Sequence, residues 1–208
     1  CARAGERGAG SASGREAAAP PLRDRDSIPE RFKWNLKNIF ATWGEWESAY
    51  AELDRKIGAF AALQGTLAGG GERLLTALRL RDEIGQLEYK VWYLASLWYD
   101  QDQRDNQINA RRQQVQILFA KAAQASAWFD PELLKVPLSE VQAWMAASAD
   151  LAVYRFAIED LYRQQEHVLD DRGEPLLSLS SRFSSSPNGA YAALSTPDVK
   201  YPTVRLST

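Results

Sequence analysis

Two long amphipathic segments separated by one short polar run constrain the fold of this chain more than any other feature. From about Glu72 to Trp98, and again from about Asp102 to Trp128, apolar residues recur every three or four positions, as on one face of a helix. The sequence between them, DQDQRDN at 100–106, is short and polar, as a turn requires. The pattern therefore predicts two long antiparallel helices that form a hairpin.

The apolar residues of these two segments also predict how deeply each helix is buried. The predicted inward faces are Leu75, Leu78, Ile84, Leu87, Val91, Leu94 and Trp98 on the first helix, and Ile108, Val115, Leu118, Phe119, Ala122 and Ala125 on the second. Four more aromatic residues, Tyr89, Trp92, Tyr93 and Tyr99, make the second half of the first helix apolar nearly all round. Because helices of that kind are enclosed by neighbours, we expect these rings to be buried.

A third amphipathic helix is predicted before the hairpin. Thr42 and Glu45 have the spacing of a capping box, which marks a helix start. The apolar face that follows is Trp46, Ala49, Tyr50, Leu53, Ile57 and Phe60. Gly65 and the glycines at 69–71 end this unit.

Further helix-start signals follow the hairpin. They are Asp130 before Pro131, Ser139 with Gln142, Asp150, and Asp170 or Asp171. They predict a short helix after Asp130, one that ends near Ser148, one from Asp150 to about Leu169, and one over about 174–182. Ser-Pro-Asn-Gly at 186–189 predicts a loop. Residues 27–195 are thus predicted to be one helical domain, and the fold class to be an all-α antiparallel bundle.

The two ends of the chain differ from this helical part. Residues 1–26 are rich in Gly, Ala, Ser and Arg and are predicted to be a disordered linker. Residues 196–208 include an alternating stretch at 199–206 that is typical of a strand. Since one strand cannot form a sheet, we expect this orphan strand to begin a truncated catalytic domain.

Cys1, the only cysteine, has two interpretations. A first-position Cys before a flexible tether suits a lipid attachment site of a mature bacterial lipoprotein, which would place the chain in the periplasm or on a membrane. Alternatively, the chain starts at an arbitrary residue, and a cytoplasmic location follows. A single cysteine excludes an internal disulfide.

Composition gives no support for a nucleic-acid partner or for a transmembrane helix. The formal net charge is -2, which gives no reason to expect a nucleic-acid partner. No apolar run approaches the roughly 20 residues of a transmembrane helix.

The residues that could carry chemistry do not form a recognisable catalytic set. Catalytic zinc sites commonly need two His one helical turn apart plus a further ligand, and the only histidine is His167. We expect His167 to contact the last carbonyls of a helix. The glycines at 69–71 lack the Lys and Ser/Thr of a phosphate-binding loop. The sequence therefore predicts no catalytic, cofactor-binding or metal-binding residue within these 208 residues.

Two clusters of charge are interpreted as structural. Asp170, Asp171 and Glu174 lie where helix caps and first turns collect acids. Arg111 and Arg112 are predicted to lie on a solvated helix face.

The order of several segments resembles the opening of the oligoendopeptidase F family, which belongs with the thimet oligopeptidase-like zinc metallopeptidases. The matching segments are RFKWNLKNIF at 31–40, WGEW at 43–46, YKVWYLASLWYD at 89–100, FDPELL at 129–134, residues 154–174 with Arg163, His167, Leu169 and Glu174, and DVKYPTV at 198–204. Asn35 departs from the family, which more often has an acid there. The resemblance covers roughly residues 27–206. It rests on the order and spacing of the segments, because no single segment is diagnostic of the family.

The resemblance implies a role for the chain as one part of a larger enzyme. In this family the N-terminal helices form a wall of a deep channel around a zinc site, and the channel admits short oligopeptides. The H-E-x-x-H helix lies downstream in the family, so no catalytic residue is carried over to this chain. We expect zinc, oligopeptide substrates and the catalytic domain as partners of the parent protein, and no activity from this chain alone.

Two other interpretations stay open at the level of sequence. One is a stand-alone helical interaction or scaffold module, with or without a lipid anchor. The other is an enzyme complete within this chain, which requires a site of unrecognised type.

Overall fold

The computed structural model describes residues 27–184 and 186–195, and all regular structure in these ranges is helical. The helices are α1 Trp43–Ala61, α2 Gly71–Gln101, α3 Asn106–Ser126, α4 Phe129–Leu133, α5 Leu138–Ala147, α6 Ala149–Ala152, α7 Arg155–Arg163, α8 Gly173–Ser178, α9 Ser181–Ser184 and α10 Ser186–Ser195. Short 3-10 turns cover Glu30–Phe32, Leu36–Asn38, Leu67–Gly69 and Gln165–His167. The predicted all-α class is confirmed for this part of the chain. The predicted linker at 1–26, Cys1 and the predicted strand at 199–206 lie outside the described residues.

The chain divides into two units, of which the larger is Trp34–Val199 and the smaller combines Cys1–Lys33 with Lys200–Thr208. In the smaller unit the described residues form the turn Glu30–Phe32, and Lys33 Nζ lies 2.7 Å from Glu30 Oε1. All other elements described below belong to the larger unit.

The core of the larger unit begins where α1 packs against both α2 and α3. The buried residues of α1 are Trp46, Leu53, Ile57 and Phe60, which belong to the predicted face. The indole Nε1 of Trp46 donates to the carbonyl of Val91 at 2.9 Å, so the deepest ring of α1 is also hydrogen-bonded to α2.

The predicted capping box at the start of α1 is confirmed in a modified form. The amide of Glu45 donates to Thr42 Oγ1 at 3.2 Å, as predicted. The Glu45 carboxylate reaches back one residue further than the usual pattern and accepts from the amide of Ala41 at 2.9 Å. Two amides at the helix start are satisfied in this way.

The predicted hairpin of α2 and α3 is also confirmed, since the two helices pack together across residues 102–105. The Asp105 carboxylate caps α3 by accepting from the amides of Gln107 at 2.8 Å and Ile108 at 3.1 Å. The buried residues of α2 are Leu74, Leu75, Ala77, Leu78, Ile84, Val91, Leu94 and Ala95.

The prediction that the second half of α2 is enclosed is wrong. Tyr89 is 64% exposed and Tyr93 is 48% exposed, and the two rings stack at 5.9 Å between centroids. Helices α1 and α3 pack against α2, and the part of its second half that carries Tyr89 and Tyr93 stays exposed. Tyrosine tolerates this position because its hydroxyl is solvated while the ring packs on its neighbour.

The connections after α3 differ from the predicted caps. The residue that precedes α4 is Trp128 and not Asp130, and α5 follows Pro137 with no side-chain cap from Ser139. Proline fixes its own φ and so sets the entry to α5 without a capping side chain.

The single helix predicted from Asp150 to Leu169 is broken into α6 and α7. Ser148, and not Asp150, caps α6 by accepting from the amide of Leu151 at 3.3 Å. The break leaves Tyr154 between the two helices, where its hydroxyl donates to Asp82 of α2 at 2.5 Å. Asp150 instead forms an ion pair with Arg79 of α2. These two contacts join α6 and the break after it to α2, and no local pattern predicts them.

The last helices differ from the prediction in their bounds. The helix predicted over about 174–182 begins at Gly173, whose amide donates to Asp170 Oδ1, but the residue directly before α8 is Arg172 and not Asp170 or Asp171. The helix ends at Ser178, and a separate helix, α9, follows. The loop predicted at 186–189 is wrong, because α10 begins at Ser186. Pro187 lies in the first turn of α10, where its missing amide hydrogen is not required. Of the described helices, none is both long enough and apolar enough to cross a lipid bilayer.

Candidate functional site

His167, the residue closest to a metal ligand in type, does not lie in a metal site. It ends the turn Gln165–His167, its side chain is 74% exposed, and its Nε2 lies 3.5 Å from Glu166 Oε1. The predicted contact with helical carbonyls is wrong, since its side chain faces this carboxylate. Within the described ranges, no three His, Cys, Asp or Glu side chains come together to hold a metal ion.

The acidic cluster at the start of α8 has the predicted structural role. Asp170 Oδ1 accepts from the amides of Gly173 at 2.8 Å and Arg172 at 3.1 Å, and Glu174 Oε1 accepts from the amide of Leu169 at 3.0 Å. The carboxylate of Asp171 forms an ion pair with Lys135. These acids therefore cap α8 and tie it to the segment that follows α4.

Arg111 and Arg112 were predicted to lie on a solvated face, and this is wrong. The guanidinium of Arg111 lies 4.4 Å from the ring centroid of Trp43, and that of Arg112 lies 4.4 Å from the ring of Tyr99. Both side chains are half-buried in consequence. They cover aromatic rings at the end of the helical hairpin by cation–π contact.

A cleft between α2, α4 and α7, with a volume of about 370 Å³, is lined by several titratable groups. Burial raises the pKa of the Asp130 carboxyl, while Arg81, whose Nη1 lies 3.7 Å from Asp130 Oδ1, opposes that shift. The hydrogen bond to the Asp82 carboxylate raises the pKa of the Tyr154 hydroxyl. Asp160 accepts from Gln164 Nε2 at 2.8 Å. The polar groups of this cleft are thus paired with one another, as in a structural junction.

A second concavity, the α2–α3 groove, contains a carboxylate without such pairing. The groove has a volume of about 630 Å³ and is lined by Arg81, Asp82, Ile84, Gly85, Gln86, Glu88, Tyr89, Phe119, Ala122, Ala123 and Ser126. Glu88 is half-buried, and burial raises its pKa. No other residue within 27–184 and 186–195 forms an ion pair or hydrogen bond with its carboxylate.

Sequence reasoning missed Glu88, although a signal exists. Between Ile84 and Tyr99, in the most aromatic part of α2, Glu88 is the only acidic residue. A carboxyl group with a perturbed pKa in a concave site is a candidate for ligand recognition. The α2–α3 groove is therefore the candidate binding site of this chain.

A different kind of surface is formed by the helices that end the described part. The C-terminal apolar side chains are Leu176, Leu177, Leu179, Phe183, Tyr191 and Leu194, and their exposure ranges from 49% to 73%. Both α8 and α9 pack on α3, and α10 packs on α9. So many large apolar side chains exposed over three short consecutive helices are typical of a surface that another polypeptide covers.

The chain is similar to known oligoendopeptidase F-type proteins. The family model described as Oligopeptidase F matches residues 132–201. Oligopeptidase PepF of Bacillus subtilis is 25% identical over 190 residues, which are 91% of this chain and 28% of that protein. The plasmid-encoded oligoendopeptidase F of Lactococcus lactis subsp. cremoris is 27% identical over 184 residues, which are 88% of this chain and 31% of that protein.

Solved structures give the same result for the fold. The crystal structure of oligoendopeptidase-F from Enterococcus faecium matches with a TM-score of 0.70 and 25% identity, over 78% of this chain and 32% of that one. A putative peptidase from Chlamydophila abortus has the same fold, with a TM-score of 0.60 at 22% identity over 87% of this chain and 31% of that one. The chain thus spans about 30% of the length of these proteins.

Proposed function

Because this chain matches the N-terminal helical region of oligoendopeptidase F-like peptidases, as the order of its segments indicated, we propose that it forms one wall of the substrate channel of a zinc metalloendopeptidase. In this proposal the parent protein cleaves short oligopeptides, and the helical region limits the size of the substrates that reach the zinc. The zinc ligands come from sequence outside these 208 residues.

The observation that carries this proposal is the exposure of the C-terminal apolar side chains. Leu176 is 70% exposed and Phe183 is 73% exposed, although both lie on helices that already pack within the unit. Covering a fully exposed leucine or phenylalanine side chain is worth about 1.5–3 kcal/mol, so these four leucines, one phenylalanine and one tyrosine, each about half exposed or more, favour docking on another polypeptide. The relatives contain more than twice as much additional sequence as the matched part, and we propose that this additional sequence is the occupant.

In the same proposal, the zinc chemistry and the control of substrate access belong to different parts of the parent protein. The sequence has one histidine, whereas the zinc-binding H-E-x-x-H pattern needs two. Bound zinc in a peptidase polarises the scissile carbonyl and activates a water molecule. The helical region would contribute none of this chemistry and would instead limit which substrates reach the zinc.

Hydrogen exchange tests the docking step directly. We expect amides at 173–195 to exchange at least about tenfold more slowly in the full parent polypeptide than in the 208-residue chain, because docking adds to the free energy of local opening. In the parent polypeptide, Leu176→Asp should restore fast exchange at these amides. Val153→Asp is the matched control, since Val153 is 80% exposed but lies between α6 and α7.

Equal exchange in the two polypeptides would contradict the docking proposal. A 208-residue chain that is also monomeric and melts cooperatively would then favour the alternative of a stand-alone interaction module.

A further inference from the structure

The carboxylate of Glu88 is a partly buried charged group that has no partner among the described residues. It is half-buried on α2 at the border with α3, and burial disfavours its ionised form. A carboxylate withdrawn from water normally gains a cation or several hydrogen bonds in return. In the described part of the chain Glu88 has neither.

The other charged groups that line the α2–α3 groove are already engaged. The guanidinium of Arg81 lies 5.3 Å from the ring of Phe129 and pairs with Asp130. The carboxylate of Asp82 accepts a hydrogen bond from the hydroxyl of Tyr154. Arg81 is also seven positions from Glu88, about 10 Å along the helix axis. The remaining lining residues are uncharged, so among the described residues that line the groove Glu88 is the charged one without a hydrogen-bonding or ionic partner.

The walls of the groove fit a long cationic side chain. Small residues, Gly85, Ala122, Ala123 and Ser126, leave open space beside Glu88. A Cβ atom added at Gly85 would have no neighbour within 4 Å. Tyr89 presents an exposed ring next in sequence to Glu88, and that ring stacks on Tyr93. Aromatic faces attract ammonium and guanidinium groups, and they pack on alkyl stems.

We propose that the α2–α3 groove binds an arginine or lysine side chain of a peptide, with the Glu88 carboxylate as its ionic partner and the Tyr89 ring as its wall. The inference rests on the proposed function in one respect, because it takes the ligand to be an oligopeptide substrate. It assigns to this helical region a preference for basic residues at some distance from the bond that is cut. A divalent metal ion is a poorer occupant, since it requires several oxygen ligands and the groove offers one carboxylate.

Binding of two matched peptides to the 208-residue chain tests the proposal. The probes are acetyl-Ala-Ala-Arg-Ala-Ala-amide and the same peptide with Gln in place of Arg, titrated while amide chemical shifts are followed. We expect the arginine peptide to bind at least about tenfold more tightly, the size of effect that a charge-assisted hydrogen bond produces. Glu88→Gln keeps the shape of the side chain and should remove that difference.

Glu72→Gln is the control, because Glu72 is an exposed acid in the first turn of the same helix. It makes the same change of net charge about 24 Å away along the axis. We expect it to leave the ratio of the two affinities unchanged. Equal binding of the two peptides, or the same loss with Glu72→Gln as with Glu88→Gln, would overturn the proposal.

The readout separates this inference from the proposed function. Peptide binding is measured on the chain without any cleavage, whereas docking is measured by exchange at 173–195 in the parent polypeptide. Arginine-selective binding without docking would contradict the channel role alone. Docking without arginine-selective binding would contradict the role of Glu88 alone.

Discussion

Removing the carboxylate of Glu132 should be among the most destabilising changes of a charged residue in this chain. Glu132 lies on α4, and its side chain reaches the loop between α1 and α2. Its Oε2 accepts from the amide of Gly65 at 2.6 Å, and its Oε1 accepts from the amide of Leu67 at 2.9 Å. Gly65 has a φ of +83°, and Leu67 is fully buried, so the loop conformation depends on these two bonds.

The magnitude follows from the exposure of each amide. A hydrogen bond to a charged group contributes about 1.5–3 kcal/mol, and the part-buried Leu67 amide should lose close to that amount in Glu132→Ala. The Gly65 amide is exposed and can bond to water instead, so its loss is smaller. We expect a total decrease in the free energy of unfolding of about 2–4 kcal/mol. The melting temperature should fall by about 2–4 °C for each kcal/mol.

Urea denaturation followed by far-UV circular dichroism measures this change. Glu132→Gln should lose less stability than Glu132→Ala, because it keeps one acceptor oxygen. Glu166→Ala is the control, since Glu166 is 79% exposed and its ionic contact is with the exposed His167. We expect the control to stay within about 0.5 kcal/mol of the wild type. If Glu132→Ala is as stable as this control, the argument from the two amides is wrong.

Four further predictions concern three buried or half-buried side chains, those of Tyr162, Trp46 and Glu88. Tyr162→Phe should lower the free energy of unfolding by about 1–3 kcal/mol, because the hydroxyl lies 2.7 Å from the backbone carbonyl oxygens of Leu133 and Val136 and shares its one hydrogen between them. Calorimetry measures the loss. Burial raises the pKa of Tyr162 to about 12, so the folded chain holds this proton more tightly than the unfolded chain does. The free energy of unfolding should therefore fall as pH rises from 10 to about 12, and denaturant titrations should show a shallower fall in Tyr162→Phe. Trp46→Phe loses the indole bond to Val91 and part of a buried ring, and should lower the urea midpoint by an amount equivalent to about 2–3 kcal/mol. Burial raises the pKa of Glu88, so ionisation of this carboxyl destabilises the folded chain as pH rises through and above its ordinary titration range. The free energy of unfolding of Glu88→Gln, relative to that of the wild type, should therefore increase between pH 4 and pH 7, by under about 1 kcal/mol.

The parts of the fold that the sequence predicts correctly are those with long local patterns. The helix α1 starts at a side-chain cap, and α2 and α3 each repeat their apolar residues over many turns. Such a pattern specifies both the helix and the face that it buries, because the residues that share a face are set by the helical period. Because only residues 102–105 separate α2 from α3, the short turn also predicts that the two helices pack antiparallel.

The parts of the fold that the sequence predicts wrongly depend on contacts between residues that are distant in sequence. The break before Arg155 lies where Tyr154 and Asp150 bond to residues of α2 that are more than 70 positions away in sequence. Local cap signals cannot represent such bonds. Exposure of Tyr89 likewise depends on which side of α2 its neighbours occupy.

The candidate site was missed for a related reason. Glu88 is unremarkable in type and spacing, and the surrounding aromatic residues suggested a buried helix. Its importance depends on half-burial without a partner, which is a property of the packed structure.

Substrate size is the most direct measure of the central claim. The parent polypeptide should be given one cleavable decapeptide sequence in two forms, as a free peptide and as a segment inside a folded carrier protein. The channel account predicts rapid cleavage of the free decapeptide, with kcat/KM at least about a hundredfold lower for the folded carrier, a difference of about 2.7 kcal/mol in the barrier. Equal kcat/KM for the two forms would contradict the claim that this helical region restricts access to the zinc.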